Sequence, residues 1–158
     1  METRRSRRNE QLVSQGGVPS MSSTLCWPKV LVAEDQPAMR QLLSSSLRAV
    51  GYDVIELPDG ASLWSELRGV LDDLDSPRDP DLVISDIRMP GLDGLEVLAR
   101  LRATDWATPV ILITAFGTDE TIREARRLGA TLVLNKPFDI DDLIAAARSL
   151  VDPLPEAA

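Results

Sequence analysis

Residues 82–94 read Leu-Val-Ile-Ser-Asp-Ile-Arg-Met-Pro-Gly-Leu-Asp-Gly. A short apolar run ends in a lone carboxylate, passes through a Pro/Gly turn and opens a helix. The run does not alternate in and out, so it predicts a strand covered on both faces. Asp93 and Glu96 stand as a capping box for a helix over Leu95–Arg102. The same unit repeats on either side. Strand β1 is expected over Val30–Ala33, with helix α1 from Pro37 to Val50 and Gly51 as its C-terminal cap. Strand β2 over Asp53–Leu57 precedes helix α2 at about 60–74, and a Pro/Asp-rich loop spans Asp75–Pro80. The run at 82–85 is β3, followed by α3. Val110–Ile113 is β4 with α4 at about 119–128, and Thr131–Leu134 is β5 with α5 from about Asp139 to Val151. Strands separated by single helices imply right-handed crossovers and a parallel sheet. The expected fold is a small doubly wound α/β domain.

In such a sheet the site lies at the carboxyl ends of the strands, where strand order reverses. β1 ends in Glu34-Asp35, β3 in Asp86, β4 in Thr114 and β5 in Asn135-Lys136-Pro137, whereas β2 ends in Leu57-Pro58. Strand order 2-1-3-4-5 would make the four equipped strands contiguous. Two like charges about 4 Å apart repel by roughly 4 kcal/mol at an effective dielectric of 20, so three carboxylates in one crevice need a cation. Oxygen ligands without His or Cys point to Mg²⁺. With Lys136 as a point charge and Thr114 as a hydroxyl donor, the crevice suits a phosphoryl group. Asp86, alone at the central strand end, is the candidate nucleophile for an acyl phosphate.

The 158 residues include 17 Lys+Arg and 25 Asp+Glu, a net charge of −8, with 44% hydrophobic residues; this suits one globular domain with a tail. There is no histidine and one cysteine, Cys26. That excludes histidine triads, imidazole ligands, an internal disulfide and a thiolate metal site, and a reducing cytoplasm is expected. No apolar run approaches the roughly 18 residues of a membrane span. Residues 1–29 hold five basic and two acidic residues (+3), and residues 30–158 hold 12 and 23 (−11). The acidic body argues against general nucleic-acid backbone binding. Residues 1–28 read as a disordered basic extension, 29–151 as the domain and 152–158 as a short tail. Trp27, Trp64 and Trp106 read as packing residues.

Taken together, Glu34-Asp35, the 85–94 stretch, Ile113-Thr114-Ala115 and Lys136-Pro137-Phe138 resemble the receiver domain of bacterial two-component response regulators, of the stand-alone, CheY-like kind. The resemblance covers about residues 29–151 and implies a flavodoxin-like sheet of five βα units. It implies that Asp86 accepts a phosphoryl group from a histidine kinase or phosphotransfer protein. Asp35, Asp86 and the backbone carbonyl of Arg88 would ligate Mg²⁺, with Glu34 acting through water. Thr114 would move inward to one phosphoryl oxygen while Lys136 pairs with another, and Lys136-Pro137 would be cis. The chain would be no enzyme beyond its own phosphorylation and dephosphorylation. Its output would be a downstream target bound through a face such as α4–β5–α5, where Arg123, Arg126 and Arg127 lie, or a homodimer. With seven residues after Val151, no DNA-binding domain is expected.

Two positions depart from the family pattern. Val133 stands where receivers often carry Tyr or Phe, and Phe116, two beyond Thr114, cannot orient water by hydrogen bonding. The latter predicts a persistent phosphoform. Two rival readings remain, a phosphate-independent pseudo-receiver and an aspartyl-phosphate phosphatase of the haloacid-dehalogenase type. The second needs an Asp-x-Asp after its first strand, which Glu34-Asp35-Gln36 does not supply.

Overall fold

The computed structural model describes residues 27–73, 79–104 and 106–153. Most of the basic extension, the end of the tail and most of the 75–80 loop lie outside them. β1 (Lys29–Ala33), β2 (Asp53–Leu57), β3 (Leu82–Asp86), β4 (Val110–Thr114) and β5 (Leu132–Asn135) alternate with five helices. These are α1 (Pro37–Ala49), α2 (Gly60–Asp72), α3 (Gly94–Ala103), α4 (Asp119–Arg127) and α5 (Ile140–Leu150). All pairings are parallel and the strand order is 2-1-3-4-5, as expected.

The sheet carries a core on each face. Leu43 and Leu47 of α1 and Leu143 and Ala147 of α5 pack on Val30, Val32, Ile84 and Ile111. On the other face Leu63, Leu67, Val97, Leu98 and Leu101 of α2 and α3 pack on Leu31, Val83 and Leu112, with Ala125 of α4. Full burial holds for β3 and β4 and for β1 past Lys29, but β2 and β5 are only partly covered. They are the sheet edges, so helices shield them incompletely. Trp106 is buried and Trp64 packs against the core, but Trp27 is 49% exposed. It precedes β1 and belongs to neither core cluster, which corrects its reading as a core packing residue.

Local signals place the helix starts at the carboxyl end of the sheet. Pro37 opens α1, Asp93 accepts the Glu96 N–H, and Thr118 accepts the Thr121 N–H. Gly51 has φ +104, a conformation that favours glycine. Asp59 caps α2 by accepting the Ser62 N–H at 2.7 Å, which holds its carboxyl below the ordinary aspartate value. Its stabilisation is therefore present above pH 3.8 and is lost as pH falls through the lowered value. Asp59→Ala is expected to cost about 1 kcal/mol at neutral pH. Urea melts of both proteins should converge at low pH.

Candidate functional site

Each equipped strand delivers its side chain to one crevice. Glu34 follows β1, and its N–H donates to the Leu57 carbonyl, so the edge of β2 fixes where β1 ends. Asp86 is the last residue of β3. The next N–H, of Ile87, donates to the Ile113 carbonyl of β4, which splays the chain into the turn only after Asp86. Thr114 ends β4, paired with Asn135, and the Lys136 N–H donates to the Thr114 carbonyl at 2.7 Å. The register thus carries Lys136 to the same end as the carboxylates. The Lys136-Pro137 bond is cis, as the resemblance implied.

Carboxylate oxygens of Glu34, Asp35 and Asp86 lie within 4.8 Å of one another. Lys136 joins them, its Nζ 2.9 Å from Asp86 Oδ2 and 3.1 Å from Glu34 Oε2. Glu34 is fully buried and Asp86 nearly so, while Asp35 faces solvent. Burial pushes the Glu34 carboxyl above its ordinary value; the Gln36 N–H and Lys136 pull it down, and repulsion from Asp86 pushes it up again. Burial works against charge on Lys136, yet its hydrogen bonds to Asp86 and Glu34 outweigh that, and its pKa is raised. Three carboxylates and one ammonium sum to −2. One divalent cation would neutralise them, and the all-oxygen donors match Mg²⁺.

Thr114 is buried at the crevice wall, with its hydroxyl turned to its own loop, where it accepts the Phe116 N–H at 3.0 Å. Arg88 lies two residues beyond Asp86, and its N–H donates to Asp86 Oδ1 at 3.2 Å. Its guanidinium sits 4.5 Å from the centre of the Phe116 ring, which is 60% exposed. The two positions thus meet across the crevice mouth in a cation–π contact. Arg40 was not anticipated. Its Nη1 donates to the Glu34 carbonyl at 2.8 Å and ties α1 to the acidic pair. Because its target is a backbone oxygen, no residue pattern advertises it.

On the proposed contact face, Arg127 pairs with Glu124 at 2.6 Å, and Leu132 of β5 is 37% exposed. Val133 is half-buried and packs against the core. Among the described residues no helix is long and apolar enough to cross a membrane.

The chain is 36% identical over 120 residues to sporulation initiation phosphotransferase F of Bacillus subtilis, covering 76% of this chain and 90% of that one. It is 34% identical to the DNA-binding dual master transcriptional regulator RpaA of Synechocystis, covering 83% of this chain but 53% of the relative. Among solved structures, the Francisella response regulator 1452 receiver domain superposes with a TM-score of 0.68 at 32% identity, over 78% of this chain and 95% of that one. CheY4 of Vibrio cholerae gives 0.67 at 28%, over 78% and 98%. The response regulator receiver domain family matches residues 30–148, and the chain belongs to it.

Proposed function

We propose that Asp86 accepts a phosphoryl group from a phosphohistidine of a histidine kinase or phosphotransfer protein, and that the phosphoform signals by binding another protein. The observation that carries this reading is Lys136 bonded to both Asp86 and Glu34, with Asp35 beside them. In the transfer, an Asp86 carboxylate oxygen forms the P–O bond as the P–N bond breaks, and the electron pair leaves with the imidazole. Mg²⁺, when bound, would offset charge on the phosphoryl oxygens. Asp35, Asp86 and the Arg88 carbonyl would hold it. Glu34 would act through water, since one of its oxygens accepts from Lys136 and the other from the Gln36 N–H. Phosphotransferase F, matched over most of its length, supports the role of carrier in a phosphorelay. Catalysis is confined to the chain's own phosphorylation and its reversal, and the setting is the cytoplasm.

Thr114 accepts the Phe116 N–H and keeps its own O–H to donate to a phosphoryl oxygen. With Val133 in place of a ring, the inward movement of Thr114 and its loop is the part of the switch that remains, and α4–β5–α5 is the face it would alter. Fluoroberyllate with Mg²⁺, a stand-in for the acyl phosphate, tests the reading. Amide resonances of Asp86, Thr114 and Phe116 should shift in the wild type and stay fixed in Asp86→Asn. Unchanged wild-type spectra at saturating Mg²⁺ would favour the pseudo-receiver.

Phe116 offers no hydrogen bond to an attacking water, so the phosphoform should persist. Phe116→Glu places a water-orienting group there and should speed dephosphorylation by about tenfold or more. Label loss from phosphorylated protein measures it, and an unchanged rate contradicts it.

A further inference from the structure

We infer that Gly60, at the start of α2, is a positioning residue: it lets the helix lie directly against the Leu92 carbonyl and so fixes the phosphoacceptor loop between Asp86 and Gly94. The inference rests on the proposed function but concerns β2 and α2, which contribute no polar group to the crevice. A Cβ on Gly60 would stand 1.8 Å from Leu92 O and 2.8 Å from Leu92 C. Both are backbone atoms, so no side-chain rotation relieves the overlap, and either the helix or the loop must move.

The loop has little freedom to absorb that movement. Ile87 and Met89 are buried in the core, which leaves Arg88 between two anchors. The loop closes where the Gly94 N–H donates to the Ile87 carbonyl at 2.8 Å. A Cβ on Gly94 would stand 2.4 Å from Asp86 O, so the far end of the loop is set by the same absence of a side chain. The α2 start cannot easily retreat, because Leu63 and Leu67 anchor the helix in the core. Displacement is therefore passed to the loop that carries Asp86 and the Arg88 carbonyl. Gly69, in the same helix, has nothing within 4 Å of its Cβ position and serves as the control.

The test compares the wild type with Gly60→Ala, Gly94→Ala and Gly69→Ala by three readouts. These are metal-free amide shifts over residues 86–93, Mn²⁺ affinity by water-proton relaxation, and phosphate uptake from acetyl phosphate at low and high Mg²⁺. Gly60→Ala should fold, displace the loop resonances and weaken Mn²⁺ binding about 10–100-fold. Its uptake should be slow at low Mg²⁺ and recover at high Mg²⁺. Gly94→Ala should show the same signature more strongly, and Gly69→Ala should match the wild type. Wild-type metal affinity per folded molecule in Gly60→Ala overturns the inference, as does its outright failure to fold, which would make Gly60 a determinant of folding. If the wild type binds Mn²⁺ in a Gly60-dependent way but takes no phosphate, the proposed function falls and the positioning role stands.

Discussion

Lys136→Met is expected to slow phosphorylation of Asp86 by about 10²–10³-fold, the usual loss when a charge-stabilising donor is removed, while binding Mg²⁺ more tightly. The opposed signs follow from the charges. Lys136 lies 2.9 Å from Asp86 Oδ2 and 3.1 Å from Glu34 Oε2. Its removal takes the cluster from −2 to −3 and removes the cation that would repel a metal. Methionine keeps the unbranched stem as far as Cε but offers nothing to a phosphoryl oxygen. The metal-free variant should also melt earlier. Breaking a buried pair costs about 3–5 kcal/mol, but Lys136 is 18% exposed and Glu34, with its raised pKa, can take up a proton, so the loss should be smaller. Added Mg²⁺ should restore stability. Mn²⁺ titration and a mass time course measure both effects, and weaker metal binding or an unchanged rate would contradict the account.

The second large effect lies in the core. Ile84 is fully buried in the centre of β3, between Val32 and Ile111 on the neighbouring strands. Ile84→Ala should cost about 2–5 kcal/mol, from lost burial and the cavity left behind. That is a large share of the usual 5–15 kcal/mol and should lower Tm by roughly 10 °C. Phosphate uptake well below the transition should stay within a few-fold of wild type, because Asp86 is also held by the Ile87 N–H and the Arg88 N–H. Calorimetry and the same mass assay separate the two. A rate that collapses while the fold survives would mean that core packing, and not loop hydrogen bonding, places Asp86.

The parts of this site that the sequence made legible are those written in strand ends. Glu34, Asp35, Asp86, Thr114 and Lys136 each follow an apolar run, and a parallel sheet brings such positions together whatever the helices do. The capping signals at Asp93, Pro37 and Gly51 were legible for the same reason, since each acts within a few residues. Other features were not. Arg88 meets Phe116 only because two irregular loops curl toward each other, and Arg40 reaches a backbone carbonyl that any residue would supply. Gly60 acts through what it lacks, against a carbonyl 32 positions along the chain (92 − 60). Trp27 and Leu132 look like core residues by type, yet their exposure depends on lying before the first strand and on an edge strand. Thr114 was placed correctly, but its bond to the Phe116 N–H depends on a loop conformation that spacing does not encode.

The central claim is that Asp86 is the phosphoacceptor. Its most direct test is intact mass after incubation with acetyl phosphate and Mg²⁺, for the wild type and Asp86→Asn side by side. A gain of one phosphate is expected in the wild type and none in the variant. A gain retained in Asp86→Asn, or no gain in wild-type protein shown to be folded and to bind Mg²⁺, would contradict it.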